Sequence, residues 1–81
     1  MTTVNYSGNI TRGGKSSVNI VKYYNTWMKI YFKTYPNKQA TYKYRRSTIG
    51  TNNFNTMITL ANEGKGLNTY IHKHRIKGKK L

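Results

Sequence analysis

The sequence predicts an all-β fold, and three observations carry that expectation. Apolar and polar residues alternate over several short stretches. Those stretches are rich in β-branched and aromatic residues. Glycine clusters and a Pro-Asn pair separate them. Charge adds a fourth constraint, on partners rather than fold. Fifteen of the 81 residues are Lys or Arg and only Glu63 is acidic, so the formal net charge is +14. A compact domain with that balance repels itself and calls for a polyanion, of which nucleic acid is the commonest.

Residues 1–16 hold Gly8, Gly13 and Gly14 among Ser, Thr and Asn, and read as an extended arm. From Ser17 the pattern is β-like, with Val18, Ile20 and Lys22 alternating with Asn19, Val21 and Tyr23. Trp27 to Tyr35 is clearer. Trp27, Lys29, Tyr31, Lys33 and Tyr35 fall on one face; Met28, Ile30, Phe32 and Thr34 fall on the other. The first face suits nucleic acid and the second suits a core. Pro36-Asn37 marks a turn. Ala40, Tyr42 and Tyr44 against Thr41, Lys43 and Arg45 make a third strand. Residues 47–53 read as a loop. Phe54, Thr56, Ile58 and Leu60 predict a fourth strand, Asn62 to Gly66 a turn, and Leu67, Thr69 and Ile71 the start of a fifth strand. A helix over 17–33 is the rival reading. It is discounted because that segment is β-branched and aromatic, lacks a capping box, and would be apolar all round.

Five short strands with Gly-rich loops in a small basic chain predict a five-stranded OB-like barrel over residues 17–76. A Gly-rich basic arm over 1–16 would precede it, and a basic tail over 77–81 would follow. An SH3-like barrel would read similarly. Hydrophobic content of 36% predicts a thin core that leans on a bound partner for stability.

Several functions are disfavoured. Without Cys there are no disulfides, thiolate nucleophiles or Cys-based zinc sites. One carboxylate cannot supply an acid/base pair or a hard-metal cage. No stretch approaches the roughly 18–20 apolar residues of a membrane span. Residues 1–14 lack the apolar segment of a secretory signal and the amphipathic pattern of an organellar presequence, so the mature chain is expected to start here. The expectation is a non-enzyme with no cofactor, no metal and no membrane partner.

The candidate binding residues fall into groups. Arg12-Gly13-Gly14-Lys15 combines backbone that can approach a phosphate with side chains that supply charge. It lacks the spacing of a nucleotide-hydrolysing P-loop. Tyr23, Tyr24, Trp27, Tyr31, Tyr35, Tyr42 and Tyr44 interleave with Lys22, Lys29, Lys33 and Lys43, a mixture that can stack unpaired bases and hold phosphates. About half of these rings are expected in the core. Lys43, Arg45 and Arg46 cluster at a strand end, where they could equally be a solvated edge that blocks sheet association. His72-Lys73-His74-Arg75 reads as backbone contact; on a strand the two histidines would share a face, yet no third metal ligand is evident. Lys38, Lys65 and the tail lysines Lys77, Lys79 and Lys80 complete the set.

In order along the chain, these residues resemble the N-terminal, OB-fold RNA-binding domain of the large-subunit universal ribosomal protein two family. That family carries N-x-x-G-x-I-T-x-R and then G-G-G-H-K; here Asn5-Tyr6-Ser7-Gly8-Asn9-Ile10-Thr11-Arg12 runs into Gly13-Gly14-Lys15. Its next strand, like Y-R-I-I-D-F-K-R, is similar to Val18 to Asn25. Its Y-D-P-N-R-x-A resembles Tyr35-Pro36-Asn37-Lys38-Gln39-Ala40, and its D-G turn followed by Y-I resembles Glu63-Gly64 and Tyr70-Ile71. The resemblance covers about residues 5–81 with an insertion around 45–56. The glycine-loop His, the acid of Y-D-P-N and the C-terminal SH3-like domain of the family are absent. The last half also resembles small-subunit ribosomal protein twelve, whose P-N-S-A and G-E-G-H-N-L compare with Pro36 to Ala40 and Asn62 to Leu67.

The first resemblance implies a structural constituent of the ribosome that binds rRNA in the large subunit. Its partners would be other ribosomal proteins, including a separate chain carrying the missing domain. Heavy use of Asn, Lys, Tyr, Ile and Thr suggests AT-rich coding, which fits a mitochondrial ribosome. The alternatives are a small-subunit protein, or a phage or viral protein binding single-stranded or duplex nucleic acid in the cytoplasm or virion.

Overall fold

Two eight-residue stretches, Trp27–Thr34 and Lys38–Arg45, place apolar and cationic residues on alternate positions, and they form the middle of the sheet. The structure is a computed structural model that describes residues 1–5, 16–34 and 38–81. In chain order the elements are β1 (Thr2–Asn5), β2 (Ser16–Tyr23), β3 (Trp27–Thr34), β4 (Lys38–Arg45), α1 (Arg46–Ile49), α2 (Thr51–Glu63), α3 (Leu67–Lys73) and β5 (Lys79–Lys80). All strands among the described residues lie in one antiparallel sheet, ordered β1-β2-β3-β4-β5.

The register sets two chemically distinct faces. Val21 opposes Ile30, Ile30 opposes Tyr42, and Met28 opposes Tyr44. These residues, with Val18 and Phe32, form the sheet's half of the core. Phe54, Met57 and Ala61 from α2, and Leu67 and Ile71 from α3, form the other half. Val21, Met28, Ile30, Phe54, Met57, Ala61 and Leu67 are wholly inaccessible to solvent. Each large apolar side chain so buried contributes about 1.5–3 kcal/mol. A β-bulge in β2 between Val18 and Ile20 shifts the alternation, so that Val18 and Val21 both face the core while Ile20 opposes Tyr31 on the other side.

Polar bonds tie the helices to this layer. The Tyr70 hydroxyl donates to Asn53 Oδ1 at 2.6 Å, and Asn53 Nδ2 donates to the Ile49 carbonyl at 2.9 Å, joining α3, α2 and α1. Asn62 Nδ2 donates to the Tyr23 hydroxyl at 3.0 Å, joining α2 to β2. Gly64 stops α2 in the left-handed conformation (φ 74°, ψ 23°), with its N–H donating to the Leu60 and Ala61 carbonyls.

The strands expected at 17–23 and 40–45 are present, as is the one expected over 27–35 as far as Thr34, and among the described residues the sheet has five strands. It is open rather than closed into a barrel, with β1 and β5 at opposite edges. Residues 54–60 and 67–71, expected as strands, are helical, and 47–53 is largely helical rather than a loop. The apolar set Phe54, Met57, Ile58 and Ala61 follows the i, i+3, i+4, i+7 spacing of a helix, and packing on the sheet outweighs the poor helix propensity of the Thr and Asn residues between them. The fourth and fifth strands are instead β1 and β5, drawn from the expected arm and tail. The Pro36-Asn37 turn lies outside the described residues.

Candidate nucleic-acid interface

The face of the sheet away from α2 and α3 carries a row of lysines. Lys22 opposes Lys29, Lys29 opposes Lys43, and Lys43 opposes Lys79, so four neighbouring strands each present one cation in register. Directly opposed residues share a face with Cβ atoms about 4.5–5.5 Å apart, and like charges so placed are destabilising. An anion laid across the row relieves that repulsion.

Aromatic rings lie beneath three of these cations. Lys29 Nζ and Lys43 Nζ stand 5.6 and 5.0 Å from the centre of the Trp27 ring. Lys22 Nζ stands 5.5 Å from the centre of Tyr31. The Tyr24 ring, 52% exposed as a residue, stacks near Trp27 with centroids 6.3 Å apart and planes 19° apart. Ammonium groups over such rings gain about 0.5–1 kcal/mol at exposed sites. Their positions are thereby restricted before any ligand arrives.

At one end of the row lies a cleft of about 470 Å³ lined by Lys43, Arg45, Lys77 and Lys79, with Thr48, Gly78 and Leu81. Four cationic side chains from β4, β5 and the segment before β5 thus converge on one concavity. Gly78 permits this. A Cβ at Gly78 would sit 2.7 Å from Tyr44 Cε2, so only a glycine lets the returning chain lie against the Tyr44 ring. Tyr44 itself is 3% exposed. Burial, and secondarily the neighbouring Tyr42, push its hydroxyl pKa up to about 12.

The structure therefore brings Lys22, Lys43, Arg45, Lys77 and Lys79 together on one side of the molecule, with Lys29, Lys33, Trp27 and Tyr31 among them. Other candidates lie elsewhere. Tyr23 packs against the core and accepts from Asn62, on the opposite face of β2 from Lys22. Arg46 is a structural pin: its Nε donates to the Asn25 carbonyl at 2.6 Å, its Nη1 contacts Asn55 Oδ1 at 3.3 Å, and its guanidinium lies 4.4 Å from the Phe54 ring centre. Lys65 is exposed between α2 and α3, Lys73 is exposed on α3, and Lys80 opposes Tyr42. His72 and His74 sit at the end of a helix, not on a strand, and two helical positions lie about 200° apart. The shared face expected of them does not exist. The His74 ring instead packs on Tyr70 with centroids 4.2 Å apart. Arg75 and His72 line a second, largely apolar cleft of about 610 Å³ beside Phe32, Tyr42 and Ile76. Lys38 begins β4. Arg12, Gly13, Gly14, Lys15 and Tyr35 lie outside the described residues.

Strand alternation revealed the face but not the row. Which lysine stands opposite which depends on the β2 bulge and on how the tail docks as β5, and neither leaves a local sequence signal. Among the described residues no group of three or more His, Asp or Glu side chains could hold a metal ion, and no helix is long and apolar enough to cross a membrane. No family model, curated protein or solved structure matches this chain.

Proposed function

We propose that this chain is a non-enzymatic nucleic-acid-binding module whose contact surface is the outer face of the sheet. The observation that supports it most is the in-register row Lys22, Lys29, Lys43 and Lys79, continued into the cleft with Arg45 and Lys77. A self-repelling row on a domain with one acidic residue makes physical sense only against a polyanion. Phosphates would be held by ammonium and guanidinium groups, with affinity driven by release of counterions.

The ribosomal resemblance supplies a setting for this reading: rRNA of a large subunit, in a mitochondrial ribosome, with other ribosomal proteins as neighbours. An OB-like closure would need the β1 and β5 edges to meet. The open sheet, backed by α2 and α3, offers a broad face in place of a barrel groove.

The test is fluorescence anisotropy with labelled nucleic acid over a salt series. The slope of log affinity against log salt should be steep, at about −0.9 per neutralised phosphate on duplex DNA and less on single strands. Replacing Lys22, Lys29, Lys43 and Lys79 by Gln should flatten it by about 3 to 4. Undiminished binding by that variant would overturn the assignment of the face. Cosedimentation with large or small ribosomal particles, or with neither, decides the ribosomal setting.

A further inference from the structure

We infer that this surface takes double-stranded rather than single-stranded nucleic acid, because the rings that β3 presents outward, Trp27 and Tyr31, are pedestals for cations and not platforms for bases. The inference rests on the outer face being a nucleic-acid surface and specifies what that surface accepts.

Proteins that bind single strands stack successive bases on open aromatic faces. Here the obvious platform is Trp27, yet two ammonium groups stand over its ring and the Tyr24 ring is stacked near it. Tyr31, the next ring along β3, carries Lys22 in the same way. A base seated on either ring would have to displace cations that its own phosphates need. Tyr42 and Tyr44 offer no alternative, since both belong to the core side of β4. The polar chemistry presented outward is therefore a grid of positive charge on a hydrogen-bonded sheet.

The dimensions suit a duplex. Neighbouring strands lie about 4.8 Å apart, so a row across four strands spans about 14 Å. The major groove of B-form DNA is about 12 Å wide, so a row of this length spans it. A row of that length can meet phosphates of both strands at once, whereas a single strand offers one rail of phosphates. Duplex DNA and duplex RNA share this two-railed chemistry but differ in groove shape.

Two readouts test the inference on the full chain. The first is affinity for oligonucleotides of equal length and matched sequence, as duplex DNA, duplex RNA and each single strand. At least one duplex should bind about tenfold tighter than any single strand, beyond the modest difference that phosphate density alone gives. The better duplex identifies the natural form. The second is the emission of Trp27, the sole tryptophan. Stacking of a base on the indole would quench it strongly, and a pedestal role leaves it little changed on binding. Equal or tighter binding of single strands, or strong quenching by the bound nucleic acid, overturns the inference while leaving the nucleic-acid surface in place. Failure to bind any of these oligonucleotides would instead overturn the proposed function itself. Trp27→Leu, checked for folding by circular dichroism, should weaken duplex binding a few-fold by releasing Lys29 and Lys43. Loss of only single-strand binding in that variant would count against the pedestal role.

Discussion

Gly78 lies so close to the ring of Tyr44 that a side chain at that position would fall 2.7 to 2.8 Å from three of the ring carbons. This contact docks the returning chain beside β4 and thereby places Lys79 opposite Lys43. Gly78→Ala should force the two apart, at a cost of about 1–3 kcal/mol if the chain stays docked. Undocking is the easier outcome, because β5 has only two residues. Amide exchange at Lys79 to Leu81 should then accelerate, and nucleic-acid affinity should fall as far as it does in Lys79→Thr. Unchanged exchange and affinity would show that β5 does not depend on this contact.

Lys79→Thr separates binding from folding. The row places like charges opposite one another, and Lys79 has no ring beneath it among the cation–ring pairs seen here. Its removal relieves repulsion from Lys43 and should leave the free domain as stable or a few tenths of a kcal/mol more stable. Binding should weaken, with the salt slope on duplex DNA shallower by about 0.9. Denaturant melts and a salt series on the same preparation check both.

Arg46 should behave in the opposite way. It bridges the Asn25 carbonyl, Asn55 and the Phe54 ring, so Arg46→Ala removes a charged hydrogen bond and leaves a carbonyl to find water. A loss of about 1–3 kcal/mol in stability is expected, with little change in affinity once the variant is folded. A large affinity loss at full stability would move Arg46 into the binding surface.

Tyr44 gives the fold an alkaline limit. Its pKa is raised from 10.0 to about 12, chiefly by burial, so the folded chain keeps a proton that the unfolded chain loses between those values. The stabilisation is intact below pH 10 and is lost as pH rises through about 12. Tyr44→Phe should remove that component of the decline. Denaturant midpoints of the two proteins over this range test it, against the common background of the other tyrosines.

Much of the sheet was legible in the sequence. In β3, Met28, Ile30 and Phe32 alternate with Trp27, Lys29, Tyr31 and Lys33, and no other element offers two such unequal faces. The helices were less legible because Phe54 and Ile58 fit both periods: Thr56 and Leu60 complete a strand-like alternation, while Met57 and Ala61 complete a helical stripe. Only burial against Val21, Met28 and Ile30 decides between them. In α3, Leu67 and Ile71 belong to a seven-residue helix, too short for periodicity to declare itself. The cationic face of β3 could be read from alternation alone, whereas in β2 the bulge moves Lys22 away from the side that strict alternation shares with Val18. The alignment of that face across strands could not be read so, since that is a property of pairing between distant segments.

The bulge at Asn19 has a consequence for how this chain could change. Within β2 the segment must begin with Val18 in the core and end with Lys22 on the outer face, and strict alternation would put positions 18 and 22 on the same side. The extra residue resolves that conflict. A deletion at position 19 would leave Val18 and Lys22 three positions apart, so that a regular strand would keep Val18 in the core and Lys22 on the outer face with the same partners on β3. Position 19 is therefore a residue that the strand absorbs rather than one that its two faces require, and both its side chain and its presence are open to change.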